Sequence, residues 1–86
     1  MGMESVKIVM SVEEAFRINI SDAEAESILT PRHLIELVMA KVVQSQPGQW
    51  SRQQVAEKIH EIVIEVLACE KQYREDAEFV KDLGMG

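Results

Sequence analysis

The sequence predicts an all-α fold, with three main helices and one short one packed as a single bundle. Three observations predict it. Apolar residues recur at helical spacing in three separate stretches, around 8–16, 34–42 and 55–66. Two Ser-x-x-Glu/Gln boxes and one Thr-Pro pair stand where those helices should start. A polar, uncharged segment carrying Pro47-Gly48 divides the chain between the second and third stretches. Eighty-six residues, 47% of them hydrophobic, suffice for one small packed domain and are too apolar for a disordered chain. Only 5% are aromatic, so aliphatic side chains must fill the core.

The first helix rests on Val9, Val12 and Phe16, with Ile8, Val12 and Ala15 on an overlapping stripe. Glu4, Lys7, Glu13 and Glu14 take the more polar side. It should end near Phe16, because Arg17-Ile18-Asn19-Ile20 alternates in polarity. Ser21 and Glu24 form a capping box, in which each side chain can bond the other's backbone N–H, so a short helix is expected over 22–27. Ile28 and Leu29 are then expected to turn inward. Thr30 can cap the next helix, and Pro31 suits its first position because the missing N–H would be unpaired there anyway. Leu34, Leu37, Val38 and Val42 form its apolar stripe, with Ile35 beside it. Residues 44–50 read as a linker. Ser51 and Gln54 make the second capping box, and Trp50 can staple onto Val55 across the helix start. Val55, Ile59, Ile62, Val63 and Val66 give the most regular stripe of the chain, carrying a helix to about Leu67. Residues 68–86 suit a long loop with a helical turn around 77–81, anchored by Phe79, Val80 and Leu83.

The formal charge of −6 argues against nucleic acid and anionic membranes, both of which demand a basic face. It suits a protein partner with a basic patch. Cys69 is the single cysteine, so no internal disulfide can form. No signal-like or membrane-spanning apolar run is present, and a cytoplasmic location is expected.

Two stretches carry a family resemblance. Val6 to Thr30 contains E-E-A-F, I-S-D-A-E-A-E and I-L-T, and Phe79 to Gly84 reads F-V-K-D-L-G. The chain resembles the acyl carrier proteins, in which an F-V-x-D-L-G segment runs into the serine that carries phosphopantetheine. In that family a V-E-L-V-M-x-x-E-E-x-F helix follows the serine. Here the two stretches stand in the opposite order. The resemblance therefore implies a circularly permuted carrier fold, with both termini where the prosthetic group would attach. Residues 1–43 would match the family's second to fourth helices, 44–50 would be a linker, and 51–86 would match the first helix and the long loop.

The family's chemistry needs a serine hydroxyl at the start of the second helix. A transferase uses it to attack the pyrophosphate of coenzyme A. An ungapped alignment on Val6-Lys7-Ile8-Val9-Met10 places Gly2 at that serine, and glycine has no nucleophile. A shifted alignment takes Glu4-Ser5-Val6 as the family's D-S-L and makes Ser5 the attachment site, at the cost of about one helical turn. The bland alternative for Ser5 is a solvent-facing or capping residue. Glu4, Glu13 and Glu14 match acidic residues with which the family docks to basic patches, whereas Lys7 reverses the charge at a position usually acidic. The alternative for these glutamates is a solvated helix face.

Other chemistry is weakly signalled. Glu57-x-x-His60 has di-iron spacing but lacks the second copy and further glutamates such a site requires. Cys69 lacks a catalytic motif and reads as a small apolar residue, and Met10 and Met39 read as core fillers. The resemblance thus implies a non-catalytic module of fatty acid biosynthesis or related pathways, docking to acyl-processing or carrier-modifying enzymes. It would carry no cofactor, or phosphopantetheine on Ser5. The alternative is an assembly module, in which the linker passes the last helix to a second chain as a domain-swapped homodimer, or the chain completes a partner's bundle.

Overall fold

The capping chemistry lies where the helices begin. The computed structural model describes residues 3–84 of the chain. Its helices are α1 (Met3–Phe16), α2 (Asp22–Glu26), α3 (Pro31–Ser45) and α4 (Arg52–Leu67). The Ser21 Oγ accepts from the Glu24 N–H at 3.2 Å, and Glu24 Oε1 accepts from the Ser21 N–H at 3.0 Å. At α4 the same reciprocal pair joins Ser51 and Gln54, at 3.1 and 2.9 Å. Thr30 Oγ1 accepts from the His33 N–H at 3.2 Å, and Pro31 fills the first turn of α3. Each bond satisfies a donor that the helix itself leaves unpaired.

α4 is the central helix, packed against both α1 and α3. Val55, Ile59, Ile62 and Val63 meet Ile8, Val12 and Phe16 of α1 and Leu34, Ile35, Val38 and Val42 of α3 in one core cluster. Fully burying a side chain of this kind contributes about 1.5–3 kcal/mol. The molecule measures 33 × 25 × 18 Å.

α1 ends as expected at Phe16. Arg17 follows at φ +55°, a left-handed conformation that turns the chain so that Ile18 and Ile20 reach the core while Arg17 and Asn19 face solvent. The 68–84 segment is irregular but anchored. Cys69, Ala77, Phe79 and Leu83 are buried, and the Phe79 N–H donates to the Leu29 carbonyl at 2.9 Å. The Glu75 carbonyl accepts from the Arg32 N–H at 2.8 Å, which satisfies an orphan donor in the first turn of α3. Its carboxylate pairs with Arg52 at 2.6 Å, tying the segment to the start of α4 as well.

Several expectations need correction. α3 runs to Ser45, two residues into the expected linker. Ile35 takes the core position expected of Leu37, which is only half-buried. Leu29 is 56% exposed, because its N–H is held by His33 Nδ1 (3.2 Å) and its carbonyl by Phe79, which fixes the backbone with the side chain outward. The short helical turn expected around 77–81 is present, with the Asp82 and Leu83 N–H groups both donating to the Glu78 carbonyl, but Val80 is exposed rather than an anchor. The ring of Trp50 stacks edge-on against Phe16, with centroids 4.7 Å apart. Its Nε1–H donates to Gln46 Oε1 at 3.1 Å, while Gln46 Nε2 donates to the Phe16 carbonyl. The linker is thereby latched to the end of α1. No helix among the described residues is long and apolar enough to cross a membrane.

Candidate functional site

α1 carries the candidate residues, and its periodicity sorts them. Ser5, Ile8, Val12 and Phe16 stand at i, i+3, i+7 and i+11, on one face of a helix. All four are buried, Ser5 at 7% exposure. Ser5 is therefore a core-side residue, and the solvent-facing alternative is corrected. The signal was legible: Ser5 continues the stripe of Ile8, Val12 and Phe16 by one turn. Gly2, at the ungapped alignment position, lies outside the described residues.

The four docking candidates do not share one environment. Lys7 and Glu14 are exposed, whereas Glu4 and Glu13 are half-buried. Glu13 is a loop anchor: its Oε2 accepts from the Ile20 N–H at 2.9 Å and its backbone carbonyl from the Ile18 N–H at 3.2 Å. The carboxylate thus pairs a donor of the strand-like 17–20 segment that has no helix to join. Sequence reasoning took Glu13 for a docking or solvated residue because the partner lies in a loop whose path is set by Arg17.

Two residues missed on this helix are apolar. Met10 is 59% exposed and Val6 41% exposed, so Met10 is not a core filler. Met39, by contrast, is half-buried against the core. A shallow groove of about 510 Å³ opens beside Met10 at the C-terminal end of α1, lined also by Glu13, Glu14, Arg17, Ile18 and Asn19. The exposed surface of this helix is therefore an apolar centre flanked by charges of both signs.

The remaining candidates have structural partners. Cys69 is buried, and that burial pushes its thiol above the ordinary range, which keeps thiolate and nucleophilicity low. His60 packs on Tyr73 with ring centroids 4.4 Å apart, while Glu57 accepts from Gln53 Nε2 at 3.2 Å. The Tyr73 hydroxyl is buried without a hydrogen-bond partner, and burial, with Glu75 and Cys69 adding to it, pushes it up to about 12.

No protein-family model matches the chain, and no solved structure matches it. An acyl carrier protein of Cyanidium caldarium is 40% identical to it over 41 residues, which are 48% of each chain. The match thus spans about half the length of that relative. Over those residues the chain is similar to an acyl carrier protein, and its described residues form four helices without a strand, as an acyl-carrier-like helical bundle would.

Proposed function

We propose that this chain is a carrier-protein-like bundle in circularly permuted order, acting by docking to acyl-processing enzymes without a prosthetic arm of its own. The observation that carries the missing arm is the placement of Ser5. A transferase must bring coenzyme A to a reachable hydroxyl, and this one is buried in line with Ile8, Val12 and Phe16. The ungapped alternative supplies Gly2, which has no hydroxyl to modify. The similarity over 48% of each chain supports the carrier-like part of this reading, and the order of the E-E-A-F and F-V-K-D-L-G stretches in the sequence is what suggests the permutation. In this reading α4 stands for the family's first helix, and it packs on both α1 and α3 although it comes last. In this reading the protein is not an enzyme and holds no cofactor.

The test is incubation with coenzyme A and a broad-specificity phosphopantetheinyl transferase, followed by intact mass, beside Ser5→Ala and an ordinary carrier protein. The expected result is no gain in mass while the ordinary carrier is modified. A gain of one phosphopantetheine that Ser5→Ala abolishes would make the chain a working carrier with a displaced attachment serine.

A further inference from the structure

Residues 70–76 cross from one buried anchor, Cys69, to another, Ala77. Between them only Tyr73 and Glu75 are partly buried, and the other residues are exposed. The Tyr73 ring packs on the core and against His60 of α4, with ring centroids 4.4 Å apart. Its hydroxyl is carried inward with the ring and has no hydrogen-bond partner among the described residues. The closed segment therefore takes a phenol O–H out of water and gives it nothing in exchange, which disfavours that state. Glu75 acts against this. Its carbonyl accepts from the Arg32 N–H at 2.8 Å, and its carboxylate pairs with Arg52 at 2.6 Å. Among the described residues, the hydrogen bonds and ion pairs that join 70–76 to α3 and α4 all run through Glu75. Both partners of the ion pair are partly exposed, so water and salt weaken it.

We propose that residues 70–76 form a strap that opens by local unfolding while the helices stay packed, with the Tyr73 hydroxyl favouring the open state and Glu75 serving as the catch. None of the fully buried core residues lies within 70–76, so opening removes none of them from the bundle. The far end stays fixed, because the Phe79 N–H remains on the Leu29 carbonyl and Phe79 and Leu83 remain buried. Local openings of this kind belong to segments with few buried contacts and exposed ties. The closed strap walls one side of a groove of about 430 Å³ whose other side is Ala56, Glu57 and His60 of α4. Opening rehydrates the Tyr73 hydroxyl and bares that side of α4. It also undoes the turn that begins at Cys69, whose carbonyl accepts from the Gln72 and Tyr73 N–H groups at 3.1 and 2.9 Å. The buried Cys69 thiol is then reachable, and the outer face of α1 is untouched.

The experiment alkylates Cys69 with iodoacetamide in the full chain at pH 8, along a urea series below the unfolding midpoint. Wild type is compared with Tyr73→Phe and Glu75→Gln, and circular dichroism confirms that each variant is folded. Exchange of the Arg32 amide, followed by NMR, gives a second readout on the other side of the strap. Local opening predicts alkylation faster than global unfolding allows, with a rate that barely changes with urea until global unfolding takes over. Tyr73→Phe keeps the ring and deletes the unpaired hydroxyl, so alkylation should slow about tenfold. Glu75→Gln should speed it about threefold, with Arg32 amide exchange rising in parallel. Alkylation that follows the global unfolding equilibrium through the whole series would overturn the proposal. A Tyr73→Phe rate equal to or above that of wild type would overturn it as well.

Discussion

Ser5 and Glu13 are both polar residues on α1, and their neighbours give them different work. Glu13 holds the 17–20 turn through the Ile20 N–H. Glu13→Ala should leave that N–H without its acceptor and cost about 1 kcal/mol. For a domain of this size that is roughly 4–8 °C in Tm, readable by thermal circular dichroism, and Glu13→Gln should lose less because it keeps an acceptor. An unchanged Tm for Glu13→Ala would assign the residue to the surface alone. Tyr73 offers a cleaner probe, since it is the single tyrosine. Its folded value is raised from 10 to about 12, so the stability it contributes is fully present below pH 10 and is lost as pH rises toward 12. Tyrosinate absorbance should therefore rise well above pH 10, in step with unfolding followed by Trp50 fluorescence; a midpoint near 10 with the fold intact would mean an exposed hydroxyl. Glu75 works in the other direction. Its hydrogen bond to Arg52 holds its carboxyl below the usual value, so its contribution is present above about pH 4.5 and fades as pH falls below that.

Elements were legible where their signals are local. Ser21-Glu24, Ser51-Gln54 and Thr30-Pro31 act within three residues, and each was found bonded as its spacing implies. Ser51→Ala should cost about 1 kcal/mol by removing the acceptor for the Gln54 N–H, lowering the urea midpoint without changing the m-value. The helix ends were harder to read. Arg17 and Ala68 both adopt left-handed backbone, at φ +55° and +51°, where glycine would be the usual choice. Ala68→Gly should therefore stabilise the protein by about 0.5–1 kcal/mol, and a fall in the urea midpoint would refute that view of the α4 end. The Gln46–Trp50–Phe16 latch was invisible to spacing because its members come from different elements brought together by the bundle. Leu29, Met10 and Val80 went astray for a related reason: local periodicity cannot say whether a neighbouring element will arrive to cover a side chain. The latch also bears on assembly. Passing α4 to a second chain would require opening it, so Trp50→Ala should raise any dimer fraction seen by light scattering.

At the scale of the molecule, the sequence order and the spatial order differ in an informative way. The last helix is the central one, and the irregular 68–84 segment returns to the α2–α3 corner through Glu75 and Phe79. Helix number, core stripes and the 44–50 break were readable from residue pattern, whereas the path of the final segment was not, since backbone bonds from Arg32 and Phe79 decide it. The candidate site was legible only in part. Residue type singled out Ser5, Lys7 and Glu14, but burial had to place Ser5 in the core and exposure had to add Met10. The proposal to be tested is a carrier-like fold whose segments stand in permuted order and which lacks the attachment serine. The most direct measurement joins residue 86 to residue 1, opens the chain at 44–50, and introduces Gly2→Ser at the restored junction. The account predicts a cooperatively folding helical protein that gains one phosphopantetheine from coenzyme A by intact mass, with the Gly2 parent gaining none. A rejoined chain that fails to fold, or that folds and stays unmodified while an ordinary carrier protein is modified beside it, would contradict the account.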